Sequence, residues 1–523
     1  MDIARFLAAG SLAFALLAGA SPASAQSPHG ADRKGDASGS GPGIFSLLPD
    51  TAKTEHSITV DGKTLAYTAE AGTLPLLAGD GSPTARIFYV AYRAEDGSNT
   101  DGKGSDGQNG GGSRPITFVF NGGPGAASAY LQLGALGPRV LKTNEDGSFR
   151  APPQELEDNP DTWLTMSDLV FVDPVGTGYS RAAPGQKESD FWGVRTDAQA
   201  MAAFIRLYLL QAGRTASPVY LAGESYGGFR AALLARTLQE DTGITPEGIT
   251  MISPALDFSF IYGGDHRPLD PALLLPSMAA VNLAKHGVTG EAFGKRIAAV
   301  QDYALHGYLT ALASGRSAGG RAASERVAEI TGLPLARVRE RDARVSATDF
   351  VRWYDRADGE ILSIYDGTVE TADIAPDSDR DRTPDPILER SVPVVTGAFV
   401  NYVRTALNYR TKVSYRLLNK EIAGKWDYGG DASSQGYADA LDDLQEARAL
   451  NPSMKVLIVN GYTDLVTPYM VSRYLVNQLP PLKGAAPIRT AVYPGGHMMY
   501  LRSGSRHALY RDAQSVYGAG QAE

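Results

Sequence analysis

Five short apolar runs constrain this chain most: ITFVF (116–120), DLVFVD (168–173), PVYLAG (218–223), GITMIS (248–253) and KVLIVNG (455–461). Each is continuous rather than alternating and rich in Val and Ile, the pattern of strands buried on both faces. Helical segments lie between several of them, TDAQAMAAFIRLYLLQAG after the second and GFRAALLARTLQ after the third. Strand and helix in alternation predict a mainly parallel α/β sheet. Ahead of these runs, ITVDGKTLAYTAEAGTLPL and ARIFYVAYRAED alternate apolar and polar residues, as antiparallel strands at a sheet edge do.

The N-terminus carries one Arg, an apolar stretch from Phe6 to about Ala20, and the small residues Ala23-Ser24-Ala25. It reads as a signal peptide over 1–25. Cleavage then leaves no stable membrane insertion and places the protein in the periplasm or outside the cell. Residues 26–55 read as a flexible leader, because QSPHGADRKGDASGSGPG offers almost nothing to bury. The α/β core is expected over 56–257 and again over 446–523, with a mobile loop at 96–115. Between them, 258–445 lacks a comparable strand series and carries helical periodicity in GEAFGKRIAAVQDYALHGYLTALAS and SERVAEITGLPLARVRERDA. This is expected to be a largely helical insertion capping the sheet.

Composition narrows the chemistry. The chain has 523 residues, a formal charge of -9 and no dense run of Lys and Arg, so nucleic acid is not an expected partner. It has no cysteine, which excludes disulfides, thiolate zinc sites and cysteine nucleophiles. In APDSDRDRTPDP (375–386), Asp377, Asp379 and Asp381 stand at alternate positions like the start of a calcium loop, but Arg380 and Arg382 interrupt it and the turn glycine and closing glutamate are missing. It reads as a solvated loop, and neither metal nor cofactor is expected.

The strand PVYLAG runs directly into Gly223-Glu224-Ser225-Tyr226-Gly227 and a helix, which is G-x-S-x-G in its required context. The sharp strand-to-helix turn lifts the serine hydroxyl out of the sheet, so Ser225 is a candidate nucleophile. On such a sheet the acid and then the histidine follow in chain order. Of the seven histidines, His497 and His507 come late enough. His497 ends RTAVYPGGHMMY, a strand meeting two glycines, whereas His507 lies in what reads as a surface helix. Asp464, just beyond KVLIVNG, is the matching acid. Ser225 would attack a carbonyl, His497 would take and return its proton, and Asp464 would hold the imidazole. The glycines of NGGPG (121–125), following ITFVF, provide one main-chain donor for the oxyanion, and Tyr226 N–H provides the other.

Taken together, NGGPG, DPVGTGYS (173–180), GESYGG (223–228), GYTDLVTP (461–468) and GGHMM (495–499) resemble, in order, the motifs of the serine carboxypeptidases of the α/β-hydrolase fold. The resemblance implies Ser225, Asp464 and His497 as the triad and the N–H groups of Gly123 and Tyr226 as the oxyanion hole. It implies that Asn121 and Glu224, helped by the Gly122 backbone, bind the terminal carboxylate of a peptide substrate. Met498 then stands beside the leaving-group pocket. The chain departs from the family's pattern in places. Ala126 stands where a cysteine often follows NGGPG, and Ala135-Leu136-Gly137-Pro138 replaces the frequent ELGP, removing a second acid able to pair with the carboxylate-binding glutamate. Phe229-Arg230 stands where His-Tyr is common. These differences point to a bacterial branch.

Glu224 beside a nucleophile demands an explanation, since an ionised carboxyl would repel a peptide's terminal carboxylate. A protonated Glu224 would instead donate a hydrogen bond, with Asn121 as a second donor. The expected activity is therefore that of an exported serine carboxypeptidase. The alternatives are an esterase or acyltransferase using the same triad, and a binding protein on a decayed hydrolase scaffold.

Overall fold

A computed structural model of the protein describes residues 43–95, 114–264, 266–378, 382–429 and 437–518. The main sheet is built from β1 (Ala52–Val60), β2 (Lys63–Leu77), β3 (Pro83–Ala94), β4 (Ile116–Phe120), β5 (Asp168–Val172), β6 (Val219–Glu224), β7 (Gly248–Ile252), β8 (Lys455–Gly461) and β9 (Arg489–Tyr493). Their spatial order is β1-β2-β3-β5-β4-β6-β7-β8-β9, and a two-residue strand, Arg181–Ala182, pairs with β3. From β5 to β9 every pairing is parallel, while β1, β2 and β3 form an antiparallel edge.

The continuous apolar runs become central strands because each covers both faces. Phe118, Phe120, Leu221, Met251 and Ile458 enter one apolar cluster, whereas their chain neighbours Val119, Ala222, Ile252, Leu457 and Val459 enter another on the opposite face. This is the period of two expected of a pleated strand. Helix α1 (Val194–Gln211) buries Ala198, Met201, Phe204, Ile205 and Leu209, a stripe at helical spacing. Helix α2 (Tyr226–Thr242) starts immediately after β6 and stops where Gly243 takes the left-handed conformation and its N–H reaches the Leu238 carbonyl.

Between β7 and β8 the chain is mostly helical, and it divides in two. Residues 269–353 build their own core around Leu273, Met278, Val327 and Phe350, which extends to Leu465 and Tyr469 beside the predicted acid. The helix Leu388–Thr405 instead packs Val395, Phe399 and Tyr402 into the cluster on the main sheet. Between the two runs a small antiparallel pair, Glu360–Leu362 with Glu370–Ala372. Its connecting loop reaches the predicted site.

The expected leader is shorter than 26–55. Strand β1 begins at Ala52, Leu48 is buried and Phe45 packs on the core. The alternation read from Ile58 onward continues backward through His56, whose ring stacks on Tyr67 at 5.4 Å. Residues 1–42, which hold the expected signal peptide and most of the expected leader, and residues 96–113 of the expected mobile loop lie outside the described residues, as do Asp379 and Asp381. Among the described residues, no helix is long and apolar enough to cross a membrane.

Candidate active site

Ser225 lies at the β6–α2 junction with φ 57° and ψ -123°, a strained conformation costing roughly 1–3 kcal/mol. The small neighbours make the turn possible. A Cβ on Gly223 would overlap the Gly227 carbonyl, and one on Gly227 would overlap the Phe120 carbonyl. Ser225 caps α2 without a side-chain capping bond, so its hydroxyl is not tied to the helix. Its own N–H is anchored to the Ile252 carbonyl at 2.9 Å.

Asp464 and His497 follow β8 and β9 and meet at the same edge of the sheet. His497 Nδ1 stands 2.9 Å from Asp464 Oδ2. The carboxylate is fully buried and further held by the N–H groups of Val466 at 2.8 Å and Thr467 at 3.0 Å. Thr467 Oγ1 lies 2.7 Å from the same Oδ2 and 3.1 Å from the Ser253 carbonyl, tying the acid loop to β7. Burial pulls the His497 pKa down, but the charge and hydrogen bond of Asp464, with Glu224 assisting, outweigh it and hold the imidazole above its ordinary value. With Nδ1 engaged, Nε2 is left for proton exchange. His507, the rejected alternative, is exposed and pairs with Asp161 at 2.7 Å.

The Gly-rich loop lies against the serine. A Cβ on Gly122 would stand 2.6 Å from Tyr226 N and 2.8 Å from Ser225 Cβ, so the chains approach as closely as they do because 122 is glycine. Gly123 adopts φ +100°, and among the described residues its N–H has no acceptor. Tyr226 N–H opens α2, where a helix offers it no partner. These two amides can serve a developing oxyanion.

Glu224 is 4 % exposed. The Asn121 amide donates to its Oε2, and the Tyr500 hydroxyl donates to Oε1 at 2.8 Å. Burial is the largest influence on this carboxyl and pushes its pKa up to about 7, against the lowering effect of His497, Tyr500 and Asn121. Asn121 is itself fixed from both sides, its Oδ1 accepting from Leu131 N–H at 2.9 Å and its carbonyl from Arg230 Nη1 at 2.8 Å. Met498 is half-buried and lines a recess with Tyr365, Ile387 and Arg502.

Several residues in this arrangement were invisible to motif reading. The Tyr365 carbonyl accepts from His497 N–H at 2.6 Å, and its ring meets the imidazole edge-on at 5.4 Å. Asp366, next in the chain, accepts from Gly496 N–H at 3.0 Å and from Thr463 Oγ1 at 2.7 Å. One carboxylate thus grips both the residue before His497 and the residue before Asp464. Replacing Asp366 with Ala is expected to lower kcat about 10- to 100-fold with little change in KM, because misplacement of about 1 Å costs that much. The basic group seen in the kcat–pH profile should move as well. An unaltered kcat and profile would show that Asp366 does not position the pair.

Asp355, Glu360 and Glu370 also cluster, the last two on the small antiparallel pair. Lys285 lies 2.9 Å from Asp355 and pairs with Glu370, so an ammonium already supplies positive charge there.

A mainly parallel sheet in this order, with serine at the elbow after β6, a carboxylate after β8 and a histidine after β9, defines an α/β-hydrolase. Residues 77–247 match the family model described as serine carboxypeptidase, a stretch that holds Asn121 and Ser225 but ends before Asp464 and His497. The chain is 31% identical over 153 residues to a carboxypeptidase Y homolog of Arthroderma benhamiae, 27% of each protein. It is 34% identical over 140 residues to the pheromone-processing carboxypeptidase KEX1 of Yarrowia lipolytica, covering 26% of this chain and 21% of that relative. The matched part thus spans about a quarter of those relatives' lengths. Among solved structures, esterase E22 is 12% identical with a TM-score of 0.37, covering 86% of this chain and all of that one, too loose a likeness to argue from.

Proposed function

We propose that this chain is an exported serine carboxypeptidase, of a bacterial branch lacking cysteine, that hydrolyses the last peptide bond of substrates with a free C-terminus. The observation that carries this reading is Glu224: a buried carboxyl with a pKa near 7, hydrogen-bonded by Asn121 and adjacent in sequence to Ser225. A simple ester offers no carboxylate for such a group to receive. A peptide acid does, and a protonated Glu224 donates to it, while the second N–H of the Asn121 amide is available as another donor.

With the terminal carboxylate held there, Ser225 Oγ attacks the carbonyl carbon of the last peptide bond and its proton passes to His497 Nε2. The N–H groups of Gly123 and Tyr226 stabilise the oxyanion. The tetrahedral intermediate expels the C-terminal amine, which takes the proton from His497, and an acyl group remains on Ser225. Water, deprotonated by His497, then releases the shortened peptide. Met498 borders the leaving residue.

The test is a blocked dipeptide with a free C-terminus against its C-terminal amide. Strong preference for the acid below pH 7 supports the carboxypeptidase. Equal turnover, or turnover of simple esters alone, would establish the esterase or acyltransferase reading in its place.

The pH dependence follows from the sign of the Glu224 shift. Below about pH 7 the free enzyme holds the proton and binds peptide acids; above it the ionised carboxyl repels them. KM for acids should rise up to tenfold per pH unit on that side. Replacing Glu224 with Gln keeps a donor and should flatten this rise while sparing amides and esters. A variant whose KM still climbs as in the wild type would remove Glu224 from the carboxylate site.

A further inference from the structure

The family resemblance calls for a second acid near Glu224, at the position of Ala135, and this chain lacks it. The structure fills the gap from another direction. Tyr500, three residues after His497, is fully buried and donates its hydroxyl to Glu224 Oε1 at 2.8 Å. Its ring lies against the turn that carries Ala135. A Cβ on Gly134 would stand 2.6 Å from Tyr500 Cε2, so the ring has its place because 134 has no side chain. The Asn121 amide meanwhile occupies Oε2. The Glu224 carboxyl is thus gripped by one oxygen from the oxyanion loop and by the other from the histidine loop, which fixes its plane beside Ser225.

We propose that Tyr500 is the positioning residue for Glu224, standing in for the missing acid, and that its hydroxyl sets the pH above which the site stops accepting peptide carboxylates. The inference rests on the carboxypeptidase reading for its functional consequence, but the contact does not depend on that reading.

The chemistry of the substitution is directional. Two carboxyls in contact share a proton and hold it to high pH. A phenol cannot share in this way, because burial and the neighbouring Glu224 raise Tyr500 well above the ordinary tyrosine value and it remains a pure donor through the working range. A donor aimed at a carboxyl oxygen favours the ionised form, so Tyr500 opposes burial and closes the acid-binding window at a lower pH than burial alone would. The other groups facing Glu224 are His497, which favours its charge, Asp464, which opposes it, and the hydroxyls of Tyr130 and Tyr365, both of which feel its charge. Of these, His497 alone shares a loop with Tyr500; the others come from separate elements.

Tyr500→Phe keeps the ring and removes the donor. The ratio of kcat/KM for the peptide acid to that for its amide, followed against pH, should have its descending inflection moved up by about one unit. Glu224→Gln/Tyr500→Phe should show no inflection from this site at all. The protonated-carboxyl stretch of Glu224, identified by infrared difference against Glu224→Gln, gives a second readout that needs no substrate. An upward shift in both readouts supports the inference. A spectroscopic shift without a kinetic one supports the Tyr500 contact while overturning Glu224 as the carboxylate site. If neither shifts, Tyr500 does not tune Glu224.

Discussion

Ser225→Ala is expected to lower kcat by about 10⁴- to 10⁶-fold, the range seen when a triad nucleophile is removed. In the proposed mechanism the loss is this large because Asp464, His497 and the two oxyanion amides act together, and without the hydroxyl there is no acyl-enzyme for them to stabilise. The fold should be unaffected. Ser225 makes no capping bond, and Ala carries the same positive-φ penalty, so circular dichroism and denaturation midpoint should match the wild type. A single-turnover assay with a blocked dipeptide separates the loss of acylation from weakened binding. Undiminished turnover by a folded Ser225→Ala protein would refute Ser225 as the nucleophile.

Arg230→Met should have the largest effect on stability. Arg230 is 1% exposed and pairs with the buried Asp197 at 2.6 Å, while its guanidinium lies over the rings of Tyr226 and Phe120 at 5.1 and 5.7 Å. Removing one member of a buried pair leaves the other charge uncompensated, at a cost of about 3–5 kcal/mol. The deficit should depend on pH. Burial already raises the Asp197 pKa in spite of Arg230, and without that partner the folded state holds the proton still more firmly. The unfolded chain releases it near pH 4. The variant should therefore be least destabilised below about pH 4 and lose stability as pH rises toward neutrality. Asp197→Asn/Arg230→Met should recover much of the loss. A midpoint shift worth under about 1 kcal/mol at pH 7 would mean the pair contributes little. Because Arg230 also holds the Asn121 carbonyl, the surviving folded fraction should bind peptide acids more weakly.

Much of the fold and of the candidate site is legible in the sequence. The central strands are found where continuous apolar runs stand, since a strand covered on both faces must be apolar at successive positions and a short window records that. Ser225 could be placed from five residues because the elbow's steric demand is written within the turn itself, as glycine at 223 and 227. Asp464 and His497 followed from chain order once the sheet was parallel. The start of β1 was read late because Ala52–Val60 is polar on its open face, and the alternation was clear only from Ile58. The division of the 258–445 insertion was not read at all, since Leu388–Thr405 has an apolar stripe that suits a cap core and the main sheet equally well.

By itself, then, the sequence determined the sheet, the elbow and the order of the candidate reacting groups, because periodicity, glycine requirement and topology are expressed within short windows or in the order of segments. Among the departures it exposed, Ala135 showed that a second acid is missing but not what stands near Glu224 instead, and Arg230 gave no sign of its partners. Tertiary structure alone decided that Asp366 clamps the two loops bearing Asp464 and His497, that Arg230 braces Asn121, and that Tyr500 takes the free oxygen of Glu224. Each joins residues far apart in the chain through one or two hydrogen bonds whose geometry depends on how whole layers pack. A tyrosine, an arginine or an aspartate has no local signature for a partner that folding brings to it.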